Sequence, residues 1–205
     1  MIECRAVGPM GANCYLVSCP ETKKAAIIDP GANSDGLKKW IADKGVQVEY
    51  ILLTHGHFDH IGAVDDLREQ YQAKVGIHHE DAVMLTSGAH NLSRMLGKSF
   101  EYKSADFFLE EGQVLQVGKL SLTVIATPGH SLGGVCFLTA EGLLSGDTLF
   151  DGSVGRADFP GGSMEELISS IEEKLLILPD DTMVYPGHGP GTTIGREKRD
   201  NPFLQ

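Results

Sequence analysis

Four times along this chain a short apolar run stops at a glycine-marked turn and hands over at once to histidine or aspartate. Tyr50 to Leu53 leads into Thr54-His55-Gly56-His57-Phe58-Asp59-His60. Val124 to Ala126, followed by Thr127-Pro128-Gly129, leads into His130; Leu143 to Gly146 leads into Asp147; Met183 to Gly187 leads into His188. Short apolar runs bounded by Gly, Pro and Asp read as buried strands. Residues just beyond the ends of such strands gather at one sheet edge, where open α/β sheets hold their ligands. The pattern therefore restricts the chain to folds in which four separated segments meet along one edge. Gly56, Gly129, Gly146, Gly187 and Gly189 accompany these positions, as tight ligand-bearing turns require.

The chemistry of the first segment narrows the reading further. Three imidazoles and one carboxylate lie between His55 and His60, and packing alone does not favour burying so many polar groups together. Neutral imidazole and carboxylate are donors that zinc, iron and manganese accept. The i, i+2 spacing of His55 and His57 in an extended turn points both rings one way, leaving Asp59 and His60 to face a neighbouring position. His130, Asp147 and His188 are expected to join them. His78, His79 and His90 lack this context and are expected at the surface or in packing. Cys136, between Val135 and Phe137, is expected to pack as a small apolar group.

Further strands are expected at Ala25 to Ile28, Leu120 to Ala126, Gly134 to Leu138, Leu143 to Leu144, and Thr182 to Tyr185. Helical spacing marks Ser34 to Lys44, Ala63 to Tyr71 and Met164 to Leu176, the last opened by a Ser163/Glu166 capping box. The polar stretch from Thr86 to Phe100 reads as a lid or a surface excursion beside a pocket. No repeat or linker divides the chain, so its 205 residues are expected to form a single α/β domain over 1–205.

Composition excludes several partners. A net charge of −11 repels phosphate backbones and anionic lipid surfaces, so neither nucleic acid nor membrane is expected. No apolar run approaches the length of about 18 residues that a membrane helix needs. The four cysteines form no CxxC pair and read as reduced thiols. With no basic, apolar leader at the N-terminus, the expected location is cytoplasmic. A small-molecule substrate remains, and the oligomeric state is not specified by these features.

The order His55-x-His57-x-Asp59-His60, then His130, Asp147 and His188, resembles the metallo-β-lactamase superfamily over nearly the whole chain. Gly146-Asp147-Thr148-Leu149-Phe150, Gly155 to Gly162, Tyr185-Pro186-Gly187-His188-Gly189 and Asn201-Pro202-Phe203-Leu204 are similar to its short bacterial glyoxalase II-like subgroup. The resemblance implies an αββα sandwich, two mixed sheets flanked by helices. It assigns His55, His57 and His130 to one divalent metal, Asp59, His60 and His188 to a second, and Asp147 to the bridge between them. Zinc is the expected metal, with iron or manganese as alternatives. The implied activity is hydrolysis of a thioester or related ester by metal-bound hydroxide, with Asp59 orienting the nucleophile. Arg156 and Tyr185, in loops beside the ligands, are weak candidates to touch an anionic substrate group; the alternative is an ion pair that steadies the loop for Arg156 and a place in a strand core for Tyr185. The chain departs from full-length glyoxalase II in ending about where the extra helical domain would begin. It departs from many β-lactamases in carrying Asp147 where those have Cys.

Three other functions remain open on this scaffold. One is a mononuclear iron persulfide dioxygenase using His55, His130 and Asp147 as a two-histidine, one-carboxylate triad. Another is a metal-dependent phosphodiesterase or nuclease, which the acidic balance disfavours. The last is a non-catalytic binding module, which has little need of seven ligands.

Overall fold

The computed structural model describes all residues, 1–205. Its N-terminal sheet has six strands in sequence order: β1 (Ile2–Val7), β2 (Ala12–Ser18), β3 (Lys24–Ile28), β4 (Gln47–Leu52), β5 (Lys74–His78) and β6 (Phe107–Leu109). The first three pair antiparallel, and β3 to β6 run parallel. A second sheet takes β7 (Val114–Val117), β8 (Leu120–Ala126), β9 (Val135–Thr139) and β10 (Gly142–Gly146) from the middle of the chain. The hairpin of β11 (Leu149–Phe150) and β12 (Ser153–Val154) follows, and β13 (Met183–Pro186) and β14 (Thr192–Thr193) complete that second sheet. Its order is β14-β13-β10-β9-β8-β7, with only β10 and β13 paired parallel. Both sheets are thus mixed.

Period-two alternation explains why the sheets stack and why helices cover their outer faces. Along β2, Cys14 and Leu16 turn outward to a cluster with Leu37, Trp40, Ile41, Val64 and Leu67. These come from helices α1 (Ser34–Lys44) and α3 (Val64–Tyr71) and their flanks; the single turn α2 (Phe58–Ile61) precedes α3. Tyr15 and Val17 turn inward and meet Leu122, Val124 and Phe137 of the second sheet. On β9 the same rule sends Val135 and Phe137 inward and Cys136 outward. The outer cluster around Cys136 includes Leu167, Ile171 and Ile194. Those residues come from α5 (Met164–Ser170), the wider π turn after it, and α6 (Ile194–Asp200), while α4 (Ala82–Thr86) lies on the first half. The layers are therefore helix, sheet, sheet, helix, as expected for the sandwich. No helix is long and apolar enough to cross a membrane.

Two local expectations need correction. The helix expected from Met164 to Leu176 changes winding at Ile171, where a π turn carries the chain to Leu175. The capping box is half made: the Ser163 hydroxyl accepts the Glu166 N–H at 3.3 Å, but the Ser163 N–H donates to the Gly129 carbonyl at 2.8 Å instead of to Glu166. That bond ties the start of α5 to the turn before His130.

Strand direction does the rest. β8, β10 and β13 run the same way, since β8 and β10 each pair antiparallel with β9, and β13 pairs parallel with β10. Their C-terminal ends deliver His130, Asp147 and His188 to one edge, and β4 delivers His55 and the residues after it from the facing sheet.

Candidate metal centre

His55, His57 and His130 form one group of ligand-type atoms, all within 4.8 Å of one another, and Asp59, His60 and His188 form another. Asp147 lies between them: one carboxylate oxygen is 3.4 Å from His60 Nε2, and the other is 3.7 Å from His130 Nε2 and 3.6 Å from His188 Nε2. All seven residues named from the sequence are brought together. His57 is extended, whereas Asp59 and His60 sit on the helical turn α2, and this change of backbone separates the two groups.

For His55, His60 and His130, outer partners on Nδ1 leave Nε2 facing the cluster, an arrangement common at metal sites. His130 Nδ1 donates to the Arg156 carbonyl at 2.6 Å, which turns Nε2 inward. His60 Nδ1 faces a carboxylate oxygen of Asp29 at 3.1 Å. Asp29 also accepts the Thr54 N–H at 2.8 Å and the Thr54 hydroxyl at 2.5 Å. It was not among the residues singled out in the sequence, although Asp29-Pro30-Gly31 follows the β3 apolar run as Asp147 follows β10. A residue of that type after a strand reads first as a turn former.

Glycine serves the site at two positions. Gly146 closes a bulge in β10 with φ +49, a conformation that costs other residues more. A Cβ on Gly187 would lie 2.1 Å from an Asp147 carboxylate oxygen and 2.9 Å from the His60 ring.

The electrostatics divide the site. Burial holds His55 well below the usual imidazole range, reinforced by the neighbouring rings. Burial likewise takes His57 down to about 3, with His130 and His60 adding to the effect. Burial also opposes charge on His60, yet Asp147, the bond to Asp29 and nearby Asp59 hold it up at about 10. His188 is raised first by its bond to Asp59. Burial pushes Asp59 up, but His188 and His60 outweigh it and bring the carboxyl to about 2. His55 and His57 are thus kept neutral and ready to coordinate, while Asp59, His60 and His188 form a knot of opposite charges.

The donor set fits divalent cations. Buried His55 Nε2 and the buried Asp147 oxygen nearest His60 have no hydrogen-bond partner. His57 Nδ1 and His130 Nε2 face each other at 3.0 Å, and His60 Nε2 and His188 Nε2 at 3.2 Å. Unpaired buried polar atoms are unfavourable in a folded protein, and a cation would satisfy them while drawing on the ring nitrogens that converge beside them.

Above the cluster lies a cavity of ≈ 330 Å³ walled by Met10, Phe58, Leu92, Phe150 and Phe159. Beyond the cluster residues themselves, Ser153 and Arg156 supply its polar side chains. Arg156 pairs with Asp158 and stacks over the Phe159 ring at 4.4 Å. Tyr185 is elsewhere, which corrects its expected place in a loop beside the ligands. It lies in β13, its ring packs edge-on to Tyr15, and its hydroxyl faces the Glu141 carbonyl. His78, His79 and His90 take no part in the ligand groups. The Thr86 to Phe100 stretch forms an excursion with one 3-10 turn, and its Leu92 reaches the cavity wall.

Comparison with known proteins gives the family and the fold. The sequence profile of the metallo-beta-lactamase superfamily matches residues 7–188. The chain is 42% identical to the probable metallo-hydrolase YqgX of Bacillus subtilis, over 97% of this chain and 94% of that protein. It is 39% identical to hydroxyacylglutathione hydrolase GloC of Haemophilus influenzae, over 99% and 97%. Among solved structures, BLEG-1 B3 metallo-beta-lactamase superposes with a TM-score of 0.96 at 40% identity, covering 100% of both chains. TTHA1623 in a di-iron-bound form gives 0.87 at 40% identity, covering 98% of this chain and 100% of that one. ETHE1 from Myxococcus xanthus gives 0.83 at 29% identity, covering 98% and 83%.

Proposed function

The chain belongs to the metallo-beta-lactamase superfamily, and from that membership we propose that it is a cytoplasmic dinuclear-metal hydrolase cleaving a small-molecule thioester, of the glyoxalase II type. The observation that carries the reading is the pair of ligand groups joined through Asp147 beneath a cavity whose other polar side chains are Ser153 and Arg156. In this proposal His55, His57 and His130 hold one cation, Asp59, His60 and His188 hold the other, and Asp147 serves both. Zinc suits the donors, as do iron and manganese. Divalent cations held by these residues would supply hydroxide from bound water at a pH of about 7 and would polarise a carbonyl oxygen.

The chain's own residues supply the rest. Asp59, ionised and at the cavity floor, accepts a hydrogen bond from the attacking water and orients it. Phe58, Leu92 and Phe159 keep bulk water from the acyl group. Arg156 presents a cation at the wall for an anionic substrate end. Neither Ser153 nor Arg156 is an acid near neutral pH, so the leaving group gains little from protonation, which suits a thiolate better than an amine. The likeness to a hydroxyacylglutathione hydrolase supports the same substrate class, and four unpaired cysteines suit a reducing compartment.

A second reading is a mononuclear iron persulfide dioxygenase on the His55, His130 and Asp147 triad; the related TTHA1623 holds iron, but as a pair. One set of assays separates the readings. Elemental analysis of purified protein is expected to give two divalent metals per chain. Thiol release from S-lactoylglutathione and simpler thioesters, without oxygen uptake from a persulfide and without opening of a chromogenic β-lactam, supports the proposal. Oxygen uptake in place of thiol release overturns it.

A further inference from the structure

Asp81 is fully buried and belongs to none of the ligand groups. It ends the 3-10 turn His79–Asp81 that follows β5, the neighbour of β4 in the first sheet. One of its carboxylate oxygens accepts the Gly56 N–H at 3.2 Å and the Ser131 hydroxyl at 2.7 Å; the other accepts the Gly133 N–H at 2.7 Å. Gly56 separates His55 from His57, and Ser131 follows His130. A single carboxylate therefore joins the two loops, one from each sheet, that carry all three ligands of the first group. The approach is close: a Cβ on Gly133 would lie 2.8 Å from the Asp81 backbone nitrogen and 2.9 Å from its carboxyl carbon.

The bonds of Asp81 stop there. None reaches α2, which carries Asp59 and His60, or the turns that carry Asp147 and His188. The second group has a buried carboxylate in Asp29, bonded to His60 and to Thr54, whose hydroxyl lies 3.1 Å from His55 Nδ1 as well, so Asp29 touches both groups where Asp81 touches one. Asparagine cannot replace Asp81 without loss. Whichever way the amide lies, its NH2 faces the N–H of Gly133 or of Gly56, and a buried donor is left unmatched.

We propose that Asp81 is a positioning residue that sets the His55–His57–His130 position alone, by fixing the separation of its two loops. The inference rests on the metal reading of the cluster. A general loss of packing would loosen both positions together; loss of this tether loosens one.

The test uses backgrounds that each leave one position. His188→Ala retains the three-histidine position, and His57→Ala retains the other. Cobalt(II)-loaded proteins are mixed with excess chelator, and release is followed by absorbance. Asp81→Asn is expected to speed release roughly 10- to 100-fold in the His188→Ala background and to change it by less than about twofold in the His57→Ala background. Ser131→Ala, which removes one of the three bonds and leaves the charge, is expected to act in the same background with a smaller effect. It decides the question if Asp81→Asn does not fold. Equal acceleration in both backgrounds, or none in either, overturns the inference while leaving the hydrolase reading intact. A native protein that retains no divalent metal overturns both.

Discussion

His57 and His60 lie three positions apart in sequence and titrate in opposite directions, because one is buried among imidazoles and the other among carboxylates. Linkage turns this into a statement about stability in metal-stripped protein. His57 titrates at about 3 when folded and near 6.5 when unfolded, so only the unfolded chain takes up its proton between those values. Stability therefore falls as pH drops from about 6.5 to about 3. His60 is held at about 10; its contribution is complete below the unfolded value and is lost as pH rises toward 10. These two groups favour a urea midpoint that is highest near neutrality, and His57→Asn is expected to flatten the acid limb alone. An acid limb of unchanged slope in that variant would refute the assignment. At this scale the gathering of the seven ligand-type residues was legible, since they stand in four groups that each follow an apolar run, and a run fixes where its end lies. Asp29 and Asp81 were not, since an isolated aspartate after a strand looks the same whether it caps a turn or anchors a ring.

The elements show where pattern reading weakens. β3, β4, β8 and α1 follow from continuous apolar runs or helical spacing, and their ends fall close to expectation. β1 was hidden because Glu3 and Arg5 point outward from an edge strand, and β2 because Asn13 interrupts its apolar run. Asn13 is buried for a tertiary reason that no local window contains: its amide donates to the carbonyls of Pro186 and Gly189, bracing the His188 turn. The start of α5 makes a testable contrast. Ser163→Ala removes a side-chain cap worth about 1 kcal/mol, which corresponds to a thermal midpoint lowered by about 2–4 °C in a chain of this size. Metal content is expected to stay unchanged, because the tie to Gly129 runs through the backbone N–H that alanine keeps. Calorimetry beside elemental analysis checks both halves, and metal loss would show that the hydroxyl itself supports His130.

Across the whole molecule, the cavity over the cluster adjoins a second one of ≈ 420 Å³, with Met10, Phe58 and Asp59 lining both. The second is walled by Leu96, Phe100 and Tyr102 and holds Lys98, whose ammonium rests 5.9 Å from the Phe100 ring centre. On the hydrolase reading, a thioester centred over Asp59 has room for one arm in each cavity. Lys98→Ala is expected to raise KM by about 2- to 5-fold for a thioester with a terminal carboxylate, as loss of an exposed ion pair would. Its neutral counterpart should keep its KM; equal effects on both substrates would remove Lys98 from recognition. The Thr86 to Phe100 stretch gave only a weak sign of this wall, because its residues fold against the site rather than into a periodic element. The sandwich itself came from family likeness more than from strand patterns, since pairing between sheets leaves no local mark. The ligands, finally, are divided between the sheets: β4 brings its share from one, and β8, β10 and β13 bring theirs from the other. An ion seated among them fastens the two halves of the sandwich like a clasp, so resistance to prying at that rim becomes a function of free ion concentration rather than of the polypeptide alone.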